Sequence, residues 1–412
     1  MSRDQGRGGR AGRARGRHTR PKAPRGRSLV GERFTVEVDR FGHGGFGVAR
    51  LGDDAGELAG TVVFVRHSLP GERVVVALTE GEVGSRFLRG DAVEVLTASP
   101  DRVTPPCPLA GPGPDRCGGC DLQHVDLAAQ RRLKGEVVAE QLRRIAHLER
   151  EVVVEALPSD LPSDVAGEGA GLHWRTRMRY HRLPDGRLGL RASRSDRVVP
   201  VPDCPVEAPE AVVVVEGEQP ERAEVTEMVR GHSFDVATDG FWQVHRDAPE
   251  ALLTAVTSYA AVRPGERVLD LYAGVGLFTV FLADAAGPQG RVDGVEGDAR
   301  AVAHGRENVA AYPWAHLHAG SVAQVLAGPE VSGRCDVVVL DPPREGAKRA
   351  VVEQVVGRTP RAVVLVGCDP AAFARDVSLF AESGYELEQV RAFDLFPMTH
   401  HVETVGLLVP GA

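Results

Sequence analysis

The 412-residue sequence contains no apolar run approaching the ~20 residues that a membrane-spanning helix needs. Its N-terminus also lacks the apolar core of a secretion signal. We therefore expect a cytoplasmic protein that does not enter a membrane. Cysteine is scarce, at six residues, and without a secretion signal four grouped cysteines favour metal binding over disulfide bonds. These four are Cys107, Cys117, Cys120 and Cys204.

Charge is distributed unevenly along the chain. The net charge is −8 at pH 7, but residues 1–27 hold ten of the 49 lysines and arginines and a single acid, Asp4. The remainder therefore carries 39 basic against 56 acidic residues. A tail of glycine and arginine without an apolar run is expected to be disordered. It could attract a polyanion in a salt-dependent way, or it could serve only to keep the protein soluble.

The length allows two to four domains. Short strands separated by turn signals predict a small β-barrel over residues 28–97. Residues 98–234 predict an α+β middle region with a helix over 127–148. In that region the strand over 173–181 places three arginines on one face, which suits either nucleic-acid binding or an ordinary exposed strand. Alternating strands and helices over 235–412 predict an α/β domain, a parallel, doubly wound sheet with an antiparallel edge.

The α/β region begins with a strand, a Gly-x-Gly turn and a helix start over residues 267–278. Glycines at 274 and 276 let a nucleotide-like ligand approach the backbone closely, although no third glycine completes the dinucleotide-binding motif. Glu296 ends the next predicted strand, where a carboxylate can accept hydrogen bonds from ribose hydroxyls. Asp341 follows a later apolar strand at the start of an Asp-Pro-Pro-Arg segment.

Cys368 follows an apolar β-branched run at 363–366 and precedes Asp369 and Pro370. Asp369 suits a helix N-cap and Pro370 suits the first helical position. We therefore predict that Cys368 lies between a strand end and a helix N-terminus, where the helix dipole would lower the pKa of the thiol and favour the nucleophilic thiolate. The alternative is a buried structural cysteine, which is what we expect of Cys335.

Several segments occur in the order typical of the RNA 5-methyluridine methyltransferase family. The glycine-rich turn at residues 41–50 of the predicted barrel resembles that of a TRAM domain, an OB-like RNA-binding module. The Cys-Gly-Gly-Cys segment at residues 117–120 resembles the iron–sulfur segment of the family. Gly367 and Asp369 stand where relatives often carry Ser and Asn. The resemblance covers nearly the whole chain from about residue 30, and it is carried by residues 41–50, 117–124, 241–244, 341–346, 368–370 and 396–403.

The resemblance implies a TRAM barrel, an iron–sulfur middle region and a Rossmann-like methyltransferase domain that binds S-adenosyl-L-methionine (SAM). It implies that Cys107, Cys117, Cys120 and Cys204 hold a 4Fe–4S cluster, with zinc the less favoured metal; the spacing itself does not choose between them. It further implies the nucleophile and the base, Cys368 and Glu403. The residues that would bind SAM are Gln243, Tyr272, Glu296 and Asp341.

The expected reaction is methyl transfer to C5 of a specific uridine in RNA through a covalent adduct between Cys368 and C6. Ribosomal RNA is the favoured substrate and tRNA the other candidate, and the enzyme is expected to act as a monomer. Two alternatives stay open at this point. One is a non-catalytic protein that binds RNA and SAM, and the other is an RNA cytosine-C5 methyltransferase. Glu403 could also be an ordinary surface acid.

Overall fold

The computed structural model describes residues 26–160 and 170–411. Most of the predicted basic tail, residues 1–25, therefore lies outside the described residues. None of the helices in the described part of the chain combines the length and the apolar character that crossing a bilayer requires.

The first part of the described chain is a closed barrel of five strands, as the alternation of apolar residues predicts. Inward-facing valines at alternate positions of neighbouring strands, among them Val63 and Val65, are fully buried and form its core. The order around the barrel is β1-β2-β3-β5-β4. The strands are β1 (Arg33–Gly42), β2 (Phe46–Arg50), β3 (Val62–Arg66), β4 (Arg73–Glu80) and β5 (Phe87–Thr97).

The middle region contains one long helix and several short strands. Helix α1 spans Leu127–Gln141, and a π-helical turn, Leu142–Ala146, extends it almost to the predicted end. The carboxylate of Asp126 accepts hydrogen bonds from the first backbone amides of α1, as expected for an N-cap. The strands are β6 (Val154–Glu155), β7 (Arg175–Arg182), β8 (Leu188–Arg191), β9 (Val198–Pro200), β10 (Glu207–Val215), β11 (Glu224–Val229) and β12 (His232–Ala237).

The rest of the chain alternates helix and strand, as predicted. The helices are α2 (Ala248–Ala260), α3 (Leu277–Ala286), α4 (Ala299–Asn308), α5 (Val322–Ala327), α6 (Lys348–Val356) and α7 (Pro370–Ala381). The strands are β13 (Arg267–Leu271), β14 (Arg291–Glu296), β15 (Ala315–Ala319), β16 (Val337–Leu340), β17 (Ala362–Gly367), β18 (Tyr385–Phe393) and β19 (Glu403–Pro410).

These strands form one eight-stranded sheet in the order β15-β14-β13-β16-β17-β19-β18-β6. The first five are parallel, and helices cover both faces. The sheet does contain an antiparallel strand, but the prediction that this strand lies at the edge is wrong. The antiparallel strand is β19, which lies inside the sheet because it inserts between β17 and β18 and pairs with both.

Arg175, Arg177 and Arg179 alternate along β7, as predicted, but they do not form a fully exposed surface. Arg177 is only 8% exposed, because its side chain turns inward. Its guanidinium donates hydrogen bonds to the carbonyls of Ala237 and Thr238 and pairs with Glu227. Sequence alternation missed this because the buried partners come from β11 and the residues after β12. The expectation of an arginine surface here is therefore wrong for Arg177.

A buried ion pair connects the middle region to the α/β sheet. Lys134 of α1 and Asp394, which follows β18, are each about 1% exposed, and Lys134 Nζ lies 2.5 Å from Asp394 Oδ1. The same ammonium donates to the carbonyl of Phe396. Burying two charges is costly unless they are paired, so the pair holds α1 in place against the segment after β18.

Candidate active site

The predicted site residues Glu296, Asp341 and Cys368 lie at one edge of the sheet. Each of them ends or follows a parallel strand, β14, β16 and β17 respectively. Carboxyl ends of neighbouring parallel strands form the usual ligand-binding edge of an open α/β sheet. The sequence pattern of apolar strands followed by a polar residue was sufficient to predict this grouping.

Glu403 reaches the same edge from the antiparallel direction, as the first residue of β19. The register between β17 and β19 pairs Gly367 with Thr404, so Cys368 and Glu403 face each other across the next position. Glu403 is only 4% exposed, which rules out the ordinary surface acid. Burial, followed by the negative charge of Asp341, holds the pKa of Glu403 well above its usual range.

The expected lowering of the Cys368 pKa by the helix dipole is wrong. The pKa of the Cys368 thiol is raised to about 12, first by burial and then by the charges of Glu403 and Asp341. Asp369 does cap α7 by accepting a hydrogen bond from the backbone amide of Ala372, as predicted. Burial and two carboxylates from distant strands therefore outweigh the helix N-terminus.

Three carboxylates surround the glycine turn after β13. Asp270 is fully buried and accepts a hydrogen bond from the Thr279 hydroxyl, while its second oxygen has no partner among the described residues. Burial raises the pKa of both Asp270 and Asp341 to about 7, and Glu296 adds to both shifts. Glu296 itself accepts a hydrogen bond from the backbone amide of Gly274. A cationic ligand at this turn would relieve the repulsion among these acids.

The two remaining predicted SAM residues lie in different surroundings. Tyr272 stands in the turn itself with a left-handed backbone, φ +65°, and burial raises the pKa of its hydroxyl to about 12. Gln243 lines a separate groove of about 420 Å³ together with Glu227 and Arg246. Within the described residues no hydrogen bond joins Gln243 to the carboxylates around the turn. Its predicted role therefore has less geometric support than those of the other three.

A small cavity of about 100 Å³ opens beside Cys368. It is small next to pockets for ordinary small molecules, which measure about 300–1,000 Å³. The turn between β1 and β2, residues 43–45, forms one wall, and Lys134, Arg344 and His401 contribute to the others. The barrel thus contributes part of the cavity wall beside Cys368.

Two residues of this cavity wall were missed by the sequence analysis. His43 Nε2 donates a 2.9 Å hydrogen bond to Oδ2 of Asp369, the residue after Cys368, and this bond raises the pKa of His43. Arg344 lies close enough to Cys368 and Glu403 that its charge lowers the pKa of both. Arg344 belongs to the Asp-Pro-Pro-Arg segment that begins at Asp341, so the sequence could have pointed to it. His43 could not, because its partner is remote in sequence.

The four predicted metal-binding cysteines lie near one another. Within the described ranges no set of three or more Cys, His, Asp or Glu side chains has the arrangement of a metal-ion site. However, Cys120 and Cys204 pack in one apolar cluster and Cys117 and Cys204 in the next. Burial raises the pKa of Cys120 to about 12, and charge on Cys204, Cys117 and Cys107 adds to the shift.

The cysteine segment also contacts the loop that precedes Glu403. The backbone amide of Leu122 donates to the carbonyl of Met398, and His400 Nδ1 lies 2.6 Å from a carboxylate oxygen of Asp121. On the far side of this loop, a Cβ built on Gly45 would lie 2.8 Å from His400 Cβ. The barrel, the cysteine segment and the loop that precedes Glu403 therefore form one packed unit.

Comparisons with known proteins agree with this architecture. A family model for the TRAM domain matches residues 27–93. A model described as methyltransferase small domain matches residues 243–366. A third, described as tRNA (Uracil-5-)-methyltransferase, matches residues 330–410. The fold and site thus define a methyltransferase domain joined to a TRAM barrel.

Related proteins extend the match to the whole chain. A protein of Streptomyces avermitilis described as an uncharacterized RNA methyltransferase is 42% identical over 444 aligned positions, which cover 93% of this chain and 99% of the relative. A 23S rRNA (uracil(1939)-C(5))-methyltransferase of a Shewanella species is 28% identical and covers 93% of this chain and 97% of its own. The chain belongs to the TRAM-containing RNA (uracil-5-)-methyltransferase family, and it is an enzyme that uses SAM as methyl donor.

A solved structure shares the fold. The tRNA (uracil-54, C5)-methyltransferase of Pyrococcus abyssi, crystallised with S-adenosyl-L-homocysteine, has a TM-score of 0.63 and 21% identity. The match covers 91% of this chain and 99% of that one. At this identity the likeness supports the arrangement of barrel, middle region and α/β sheet.

The high pKa of Cys368 predicts how this thiol reacts in the ligand-free enzyme. Because only the thiolate is alkylated, the rate of carbamidomethylation by iodoacetamide should rise about tenfold per pH unit from pH 7 to 10 without levelling off. Mass spectrometry of the peptide that contains Cys368 gives this rate. Cys335, which has a similar pKa but is 3% exposed, should show the same slope at slower rates. If the rate for Cys368 reached a plateau below pH 8, the pKa of its thiol would be lowered, as the sequence analysis predicted.

Two glycines provide a matched test of the contact between the barrel and the loop that precedes Glu403. Gly45 and Gly71 have nearly equal backbone angles, φ +77° and +79°, but a Cβ at Gly71 would meet no atom within 4 Å. Alanine at either position should lower the free energy of unfolding by about 1–2 kcal/mol through backbone strain. Only Gly45→Ala should also lower kcat, by at least about tenfold, because it displaces His400. Equal kcat values for the two variants would show that the contact has no catalytic importance.

Proposed function

We propose that this enzyme transfers the methyl group of SAM to C5 of a specific uridine in RNA, through a covalent adduct between Cys368 Sγ and C6 of the base. The observation that carries the proposal is the facing pair Cys368 and Glu403 at the end of neighbouring strands. Cys368 borders the small cavity described above, and Glu403 lies opposite Cys368 on the neighbouring strand. The target uridine would have to leave its stack to enter this cavity.

Cys368 and Glu403 supply the nucleophile and the base that the proposed reaction needs. Uracil C5 is too weak a nucleophile to attack the methyl donor by itself. Addition of the Cys368 thiolate to C6 forms an enolate, whose C5 takes the methyl group while S-adenosyl-L-homocysteine leaves. The Glu403 carboxylate then removes the C5 proton. Elimination of the Cys368 thiolate restores the C5–C6 double bond.

Electrostatics favour this chemistry only when the methyl donor is bound. Burial, followed by the charges of Glu403 and Asp341, raises the pKa of Cys368 to about 12, so the thiol is protonated at neutral pH. The sulfonium of SAM carries a positive charge and would offset these carboxylates. Arg344, which already lowers the pKa of Cys368 and Glu403, would stabilise the thiolate and the enolate.

The glycine turn has the properties expected of a SAM site. Gly274 has φ +55° and open space where a side chain would stand, so a ligand could approach its backbone. Glu296 keeps free lone pairs for ribose hydroxyls, although it already accepts hydrogen bonds from two backbone amides. Asp341 and Tyr272 border the same turn, and we propose them as further contacts to SAM, with Gln243 at the periphery.

We also propose that Cys107, Cys117, Cys120 and Cys204 hold a 4Fe–4S cluster. Four thiols in one region suit iron–sulfur ligation, and a cluster spaces its thiolates more widely than a single zinc ion does. Gln123 supports the site by accepting a hydrogen bond from the backbone amide of Cys107. The cluster would stabilise the cysteine segment, which contacts the loop that precedes Glu403, and it would take no part in methyl transfer.

Ribosomal RNA is the proposed substrate. The Shewanella relative acts on 23S rRNA by its description, and it resembles this chain along its whole length. Nucleoside mass spectrometry of rRNA and tRNA from a deletion strain tests this. Loss of 5-methyluridine from rRNA supports the proposal, loss from tRNA alone corrects the substrate, and loss from neither rejects the reaction.

The roles of Cys368 and Glu403 lead to different defects when each is replaced. Glu403→Gln should still form the adduct and transfer the methyl group, but elimination should slow by about 10²–10⁴-fold. A protein–RNA adduct stable in SDS should therefore accumulate with RNA from the deletion strain. Cys368→Ala should form neither adduct nor product. Glu388→Gln, an exposed acid on β18, is the control and should behave as wild type. Full turnover by Glu403→Gln would remove Glu403 as the base.

The cysteine site predicts a specific spectroscopic change. Protein purified without oxygen should be brown, with visible absorption from sulfur-to-iron charge transfer and about four iron atoms per chain. Cys120→Ser should lose most of the absorption and iron. Cys335→Ser, which replaces a buried cysteine elsewhere in the fold, should keep both. A colourless protein that contains one zinc ion would contradict the iron–sulfur proposal.

A further inference from the structure

Three phenylalanines form a continuous stripe on the outer face of the barrel. Phe46 lies on β2, Phe64 on β3 and Phe87 at the start of β5. The ring centroids are 6.1 Å apart for Phe46 and Phe64 and 5.4 Å apart for Phe64 and Phe87. Phe87 is 41% exposed and the other two rings are half-buried. Because Val63 and Val65 fill the core on the opposite face of β3, these rings are not needed to close the barrel.

Arginines border the stripe along its length. The guanidinium carbon of Arg89 lies 5.0 Å from the Phe87 ring centre, and that of Arg194 lies 5.1 Å from the Phe46 ring centre. Arg66 emerges from the same face of β3. The nearby acids are fewer: Asp91 pairs with Arg66, and Glu80 pairs with Arg89 and, more distantly, with Arg194. Three guanidinium groups against two carboxylates leave the stripe with a net positive charge.

One end of the stripe lies at the mouth of the active-site cavity. Phe46 directly follows the turn of residues 43–45, which lines the cavity beside Cys368. A Cβ built on Gly44 would lie 3.0 Å from the Phe46 ring. An extended chain that leaves the cavity over this turn would therefore meet Phe46 first, then Phe64 and Phe87.

We propose that Phe46, Phe64 and Phe87 stack against the unpaired bases next to the target uridine, while Arg89 and Arg194 contact the phosphates. This inference rests on the proposed function, because a flipped base needs unpaired neighbours. Aromatic rings bordered by cations are the surface that single-stranded RNA requires, since each base offers a π-face and each linkage a negative charge. A duplex would hide the faces of its bases from these rings.

The test is direct binding to a fluorescein-labelled 20-nucleotide oligo(U) RNA, followed by fluorescence anisotropy. It uses the Cys368→Ala protein so that adduct formation plays no part. Phe87→Leu and Phe64→Leu should each raise Kd by roughly 5- to 100-fold. Arg89→Gln should raise Kd and reduce its dependence on salt concentration. Leu96→Ala, which removes an exposed apolar side chain at the far end of β5, is the control and should bind as the parent does.

The outcomes separate this proposal from the catalytic one. If Phe87→Leu binds oligo(U) with the parental Kd, the stacking proposal is wrong. The stripe would then be interpreted as a surface that binds another protein. Because Phe87 is the most exposed of the three rings, its variant folds even if Phe64→Leu does not. If Cys368 forms no adduct while the phenylalanine variants still lose binding, the catalytic proposal fails and the stacking proposal stands.

Discussion

The antiparallel pairing of β19 with β17 sets Gly367 opposite Thr404, and the whole site depends on it. This register brings the thiol of Cys368 and the carboxylate of Glu403 to the same edge of the sheet, although a helix, a strand and a long loop separate them in the chain. A slip of one residue would turn Glu403 to the other face of the sheet. Since both edges of β19 are paired, such a slip would break two ladders of hydrogen bonds at once.

The loop between β18 and β19 contacts three other parts of the chain: helix α1, the cysteine segment and the barrel. At its start Asp394 forms the buried ion pair with Lys134 of α1; breaking such a pair typically costs about 3–5 kcal/mol. In its middle Met398 donates its backbone amide to Gln130. Near its end His400 contacts the cysteine segment and the barrel. The position of Glu403 therefore depends on residues outside the methyltransferase domain.

Much of this could be predicted from local patterns, and the errors share one cause. Apolar runs followed by Glu296, Asp341 and Cys368 predicted the edge of the sheet, because strand ends depend on nearby residues. The Cys368 pKa was predicted in the wrong direction because the opposing carboxylates come from other strands. Arg177 was expected on a surface, but it is buried because its partners come from β11 and from the residues at the end of β12. His43 was missed because its partner belongs to another domain. Long-range contacts, which no local pattern records, decide each of these cases.

The most direct test of the account is to trap the intermediate. Transcripts of 23S rRNA that contain 5-fluorouridine, incubated with the enzyme and SAM, cannot lose fluorine from C5 and should stop at the adduct. After digestion with trypsin and ribonuclease, mass spectrometry should find a methylated 5-fluorouridine nucleotide bound to the peptide that contains Cys368. An adduct on another residue, or its absence under conditions in which normal RNA is methylated, would contradict the proposed covalent mechanism.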